Sequence, residues 1–142
     1  MRRDRFVSTA AAAAVSLAAG CTSASRPMAA SSAAPAPTNP DLGGVLERFY
    51  EGIEDRRWSF AYAMLSPRYA RELSRSDFTA LYDRYADTDV AIRQTSDRSA
   101  VATLTVQERN PGPRRRFEET WRFAWDGERW ELDGLRRREL SR

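Results

Sequence analysis

Arg114-Arg-Arg-Phe117-Glu-Glu119-Thr-Trp121-Arg-Phe123-Ala-Trp125-Asp126-Gly127 decides the fold. Its period is two. Phe117, Glu119, Trp121, Phe123 and Trp125 fall on one side of an extended chain, with Arg116, Glu118, Thr120, Arg122 and Ala124 on the other. This predicts a strand over 114–125 with one aromatic face. Asp126-Gly127 signals a tight hairpin, and 129–135 returns as the next strand with Trp130 and Leu132 on one side. From Arg136 onward the chain reads as a charged end.

Working back, Asn110-Pro-Gly-Pro113 is a loop by composition. The segments 89–94 and 99–108 alternate about a turn at Ser96-Asp97-Arg98, predicting two more strands. Before residue 89 the period becomes helical. Val45, Leu46, Phe49, Tyr50 and Ile53 form a stripe that Asp41 can cap, and Asp55-Arg56-Arg57 breaks it. A short helix follows from Ser59 to the Ser66-Pro67 stop, then an irregular or helical turn over 67–74. A third helix starts at Ser76-Asp77 and carries Phe78, Leu81, Tyr82 and Tyr85. Helices followed by an antiparallel meander give an α+β domain over residues 41–142, about 100 residues and enough for one core.

The remaining N-terminal part has another character. Met1-Arg-Arg-Asp-Arg5 is a basic start, and Phe6 to Gly20 is a 15-residue run of small and apolar residues. That is short of the ~20 residues that span a bilayer, and it has the pattern of a secretory signal. Thr22 to Pro40 is rich in Ala, Ser and Pro and lacks the apolar bulk to offset its ordering entropy. It reads as a disordered tether with a reach of roughly 25 Å. The expected organisation is a signal over 1–20, a tether over 21–40 and a domain over 41–142.

Composition removes several chemistries. The sequence holds 23 basic residues, all arginine, against 20 acidic ones, and no histidine. Without histidine there is no Ser-His or Cys-His pair and no His-metal site. The single cysteine, Cys21, forms no intrachain disulfide. The formal charge is +3, and removing Arg2, Arg3, Asp4 and Arg5 leaves +1. That argues against a nucleic-acid partner. No Gly-rich phosphate loop, carboxylate metal cluster or Gly-x-Ser-x-Gly elbow occurs, so neither cofactor nor metal is expected.

Leu17-Ala18-Ala19-Gly20-Cys21 resembles the lipobox of bacterial lipoproteins, with Ala18 where the strongest form has leucine. The resemblance implies that Cys21 becomes the first mature residue and carries diacylglycerol. Two or three palmitate-class chains then hold the protein on the outer side of the cell membrane, facing the periplasm or the exterior. Each buried CH₂ adds about 0.8 kcal/mol. Cleavage by ordinary signal peptidase, releasing a soluble protein, is the alternative; a twin-arginine signal is only faintly suggested.

The stretch from Phe49-Tyr50 through Trp58, Ala61-Tyr62-Ala63 and Leu65-Ser66-Pro67 is similar to the opening of the nuclear-transport-factor-2-like superfamily. Ser76-Asp77-Phe78 followed by Tyr82 is similar to the third helix of its exported members. The resemblance implies helices filling the mouth of a curved antiparallel sheet, a cone, in a superfamily where sheet-to-sheet homodimers are common. The Arg/Glu/Thr face of 118–122 is where such a homodimer would form. Catalytic members place an acid–base constellation at the cone mouth, and those positions do not map onto this chain.

Glu119 is the one residue that interrupts the apolar strand face. Buried, its pKa would rise toward the range of a general acid or base. Near a strand end it would instead reach solvent or pair with an arginine. Tyr50, Trp58, Tyr62, Trp121 and Trp125 are candidates for an apolar ligand pocket, or simply core. The triplets 114–116 and 136–138 fit either a self-paired solvated face or adhesion to anionic headgroups or wall polymers. The leading expectation is a non-catalytic binding module for an envelope protein or a small apolar ligand. The alternative is a small isomerase- or dehydratase-like enzyme using Glu119.

Overall fold

The computed structural model describes residues 33–110 and 112–141. The signal, Cys21 and the first part of the tether lie outside them. Four helices precede four strands, and the strands form one antiparallel sheet in the order β1-β2-β3-β4. The α+β class and the helices-first order agree with the sequence reading.

Helix α1, Leu42–Glu54, is capped by Asp41, whose carboxylate accepts the Gly44 N–H at 2.8 Å. Its buried stripe contains Leu42, Val45, Leu46, Phe49, Tyr50 and Ile53. It ends with Arg57 N–H on the Gly52 carbonyl at 2.8 Å and Arg56 N–H on that of Ile53 at 3.0 Å. This is the paired-bond Schellman termination, which requires a left-handed residue. Arg56 supplies it at φ 57°. Helix α2 spans Trp58–Tyr62, and α3, Pro67–Glu72, has Ser66 as its cap and proline in its first turn. Helix α4, Arg75–Asp83, starts one residue earlier than expected because the Ser74 hydroxyl caps it by accepting the Asp77 N–H.

The strands are β1 Tyr85–Gln94, β2 Ser99–Glu108, β3 Arg115–Trp125 and β4 Trp130–Leu140. Two differ from the sequence reading. β1 begins at Tyr85 rather than Asp89, with a bulge between Tyr85 and Asp87. β4 does not stop at Leu135; the charged end continues as strand, with Glu119 opposite Arg137 and Glu118 opposite Arg138. The reason is a second bulge. Arg122 faces Gly134 but Phe123 faces Leu132, so Asp133 is an extra residue. An inserted residue reverses the inside–outside parity. Leu132 and Arg137 therefore share the inner face, where simple alternation from Leu132 would have put Arg136.

The helices cover the inner face. The core joins Leu42, Leu46, Phe49, Phe78 and Tyr82 to Ala100, Ala102, Leu104, Val106, Phe117, Trp121, Phe123 and Leu132. Leu65 bridges in parallel to Leu132. Ser66 N–H donates to the Leu132 carbonyl at 2.8 Å and Leu132 N–H to that of Met64 at 2.9 Å, fastening the helical layer to β4. The end of the expected tether also belongs to this unit. Trp125 Nε1 donates to the Ala34 carbonyl at 2.7 Å, and Pro40 is buried.

Candidate functional site

Glu119 stands mid-strand on β3, opposite Ala102 on β2 and Arg137 on β4. It is 0% exposed, so the expectation that it reaches solvent from a strand end fails. Ala100 and Ala102 are small, and across from them the sheet accommodates Trp121 and the carboxylate with the helical aromatics above. Glu119 Oε2 accepts the Tyr50 hydroxyl of α1 at 2.5 Å and the Tyr82 hydroxyl of α4 at 3.1 Å. Trp121 Nε1 donates to the Tyr50 oxygen at 2.9 Å, extending the chain of bonds. Phe49 packs edge-on against both Tyr50 and Trp121.

Arg137 brings the only arginine charge within ion-pair distance of Glu119 among the described residues. Its Nε lies 3.4 Å from Glu119 Oε1, close enough for Coulombic attraction but not aligned for a hydrogen bond. Its guanidinium lies 4.0 Å from the centre of the Phe117 ring and donates to the Tyr85 hydroxyl. Burial pushes the Glu119 pKa above the ordinary value of 4.5, and the Tyr50 bond and the Arg137 charge only partly oppose it. Burial also raises the Tyr50 and Tyr82 phenols, and the nearby carboxylate raises both further. Three titratable groups thus share one low-dielectric space, and a carboxyl that holds its proton more tightly than usual sits between two phenols.

Such a group has the character of an acid–base catalyst, yet it has no exposed surface of its own, and the groove that its partner Tyr82 borders is not lined by Glu119. Tyr50 and Tyr82 are each 3% exposed and Trp121 is 0% exposed. The five aromatic candidates do not share one place in the fold. Tyr50 and Trp121 are core. Tyr62 directs its hydroxyl to the carbonyls of Ala70 and Leu73, both at 3.0 Å, closing the α3 end. Trp58 borders a polar groove of about 220 Å³ with Ile53, Arg56, Tyr82, Asp83 and Tyr85. Asp83 on its lining holds Arg56 at 3.3 Å and Arg109 at 3.1 Å. Trp125 packs at a tilt against Trp130 and borders a separate groove with Val45, Phe60 and Met64. Glu119 lines neither.

Sequence reasoning missed two members of the cluster. Tyr82 was legible only as part of a packing stripe, and Arg137 was hidden by the bulge at Asp133. Asp133 itself is not near Glu119; it accepts from the Ser66 hydroxyl at 2.6 Å and pairs with Arg68 at 2.9 Å. No group of acidic or cysteine side chains suited to a metal ion occurs among the described residues. Comparison with protein families, with curated proteins and with solved structures returns no significant match.

Proposed function

We propose that this chain is an exported lipoprotein, anchored through lipid on Cys21 to the outer side of the cell membrane. Its domain, of the nuclear-transport-factor-2-like type, acts as a non-catalytic binding module. The observation that carries the non-catalytic part is the enclosure of Glu119. A carboxyl with no exposed surface, occupied by two tyrosine hydroxyls, meets no substrate, and its hydrogen bonds instead join α1 and α4 to β3, with Arg137 of β4 at ion-pair distance. Binding then belongs to the surface of the domain. The helices-first order and the helical cover over the aromatic sheet face support the fold reading. For the anchor, the support is the lipobox-like run at 17–21 and the small-residue segment before it. No helix among the described residues is long and apolar enough to cross a membrane.

Fractionation of cells expressing Cys21→Ser tests the anchor. The native chain is expected in the membrane pellet and the variant in the soluble fraction, and a variant retained in the pellet contradicts the reading.

The acid–base enzyme remains a second reading, favoured by the raised Glu119 pKa beside two phenols. It requires an opening to the carboxyl. Carbodiimide labelling of the native chain separates the two: Glu119 is expected to stay unmodified, and modification at the rate of exposed carboxyls would favour the enzyme.

A further inference from the structure

The face of the sheet turned away from the helices carries a charge separation that the fold does not explain. In register across the four strands run Arg93, Val101, Thr120 and Arg136. The next rows hold Ala91, Thr103, Glu118 and Arg138, then Asp89, Thr105, Arg116 and Leu140. Arg122 lies opposite Gly134 on the same face. Arg93, Arg116, Arg122, Arg136 and Arg138 are all exposed.

The acids of this face are already engaged. Glu118 pairs with Arg138 at 2.9 Å, and Asp87 and Asp89 pair with Arg114 at 2.8 and 3.5 Å. Among the described residues no carboxylate lies within ion-pair distance of Arg93, Arg116, Arg122 or Arg136. Overall excess charge is not the cause, since Asp41 to Arg142 holds 19 arginines and 19 acidic residues. Positive charge has been segregated onto one sheet face. The two triplets contribute Arg116, Arg136 and Arg138 to it, while Arg115 pairs with Glu108 and Glu139 and Arg137 turns inward.

We infer that this face binds a linear polymer of phosphodiesters lacking bases, such as a polyol phosphate chain, along the unpaired arginines and the threonine hydroxyls between them. Guanidinium groups bind phosphate oxygens through paired N–H donors. Residues two apart on a strand are about 7 Å apart and adjacent strands about 4.8 Å, so the four free arginines cover an extended track rather than one anion pocket.

Other occupants fit less well. Among the described residues one aromatic ring, Tyr69 of α3, borders this face, in a groove with Thr120, Arg122 and Arg136, and a single ring offers no platform for a run of stacked bases. The face has no protruding tryptophan, phenylalanine or cluster of leucines to enter a bilayer. A second copy of the same face would bring arginine against arginine, which disfavours the homodimer through 118–122. The inference rests on the reading of the domain as a surface-acting binding module, but not on the lipid anchor.

The test uses the full chain, in detergent if it fractionates with membranes and in buffer if it does not, with poly(glycerol phosphate) as the probe in titration calorimetry. Binding is expected at about 50 mM NaCl and should weaken steeply by about 300 mM. The double variant R116Q/R136Q is expected to bind roughly 30-fold more weakly, with an unchanged melting temperature because both side chains are exposed. R48Q/R71Q, on the helical side, should bind like the native chain. No binding at low salt, equal loss in both double variants, or tighter binding to an oligonucleotide or to phosphatidylglycerol vesicles would overturn the proposal. Because the readout is polymer binding, its failure is distinct from failure of the Cys21 fractionation.

Discussion

Replacing Glu119 with Gln isolates the consequence of a buried carboxyl whose pKa is raised. The substitution keeps the volume, and the amide oxygen can still accept the Tyr50 and Tyr82 hydroxyls. What changes is the charge, and the NH₂ now faces Arg137 Nε, also a donor. Well below pH 4.5 the native carboxyl is protonated in both folded and unfolded chains, so its titration adds no difference there. As pH rises past 4.5 the unfolded chain ionises first, while the folded chain holds its proton because burial raises the pKa. The folded state then binds more protons, and native stability falls by up to about 1.4 kcal/mol per pH unit until the folded carboxyl ionises. The variant lacks this loss. Its stability relative to the native chain should therefore climb across that window and then level off. Urea unfolding followed by tryptophan fluorescence, from about pH 4 to pH 8, measures the difference. Parallel curves, or a variant that loses ground as pH rises, would refute the reasoning. The second result would mean that Arg137 outweighs burial and holds the carboxyl below its ordinary value.

Arg137→Met removes the cation that lies within ion-pair distance of Glu119 and leaves the carboxyl with its two phenols; a loss of about 2–4 kcal/mol is expected near neutral pH by urea unfolding. Arg56→Gly relieves the left-handed residue at φ 57°. It should stabilise by about 0.5 kcal/mol in thermal unfolding, once loss of the exposed Asp83 pair is subtracted. Gly127→Ala forces a side chain onto φ 108° in the β3–β4 turn. It should cost about 1–2 kcal/mol in the same assay.

The sequence already showed why this chain is helical and then extended. The α1 stripe and the alternation of β3 repeat with periods set by backbone geometry, and each recurs in the structure with the expected residues buried, save Trp125, which is half-buried at the end of β3. Glu119 was legible as the anomaly in that alternation. Its partners were not. A single inserted residue at Asp133 changes no composition or local propensity, yet it reverses which of Arg136, Arg137 and Arg138 faces the core. The Tyr50–Tyr82 pairing joins residues from two helices and requires their packing, which periodicity does not specify. Trp125 and Ala34 illustrate the same limit: the Ala/Pro run before Asp41 has no apolar pattern, and its docking uses an indole donor meeting a carbonyl and the burial of Pro40.

Native mass spectrometry of the chain extracted from membranes in mild detergent tests the central claim most directly. The account predicts a chain beginning at Cys21, increased by a covalent diacylglyceryl group and carrying no small molecule in its interior. A mature chain without lipid would contradict the anchor. A non-covalent species released on gentle activation would mean that the aromatic residues around Glu119 enclose a ligand, and the reading of that cluster as closed structural core would fall.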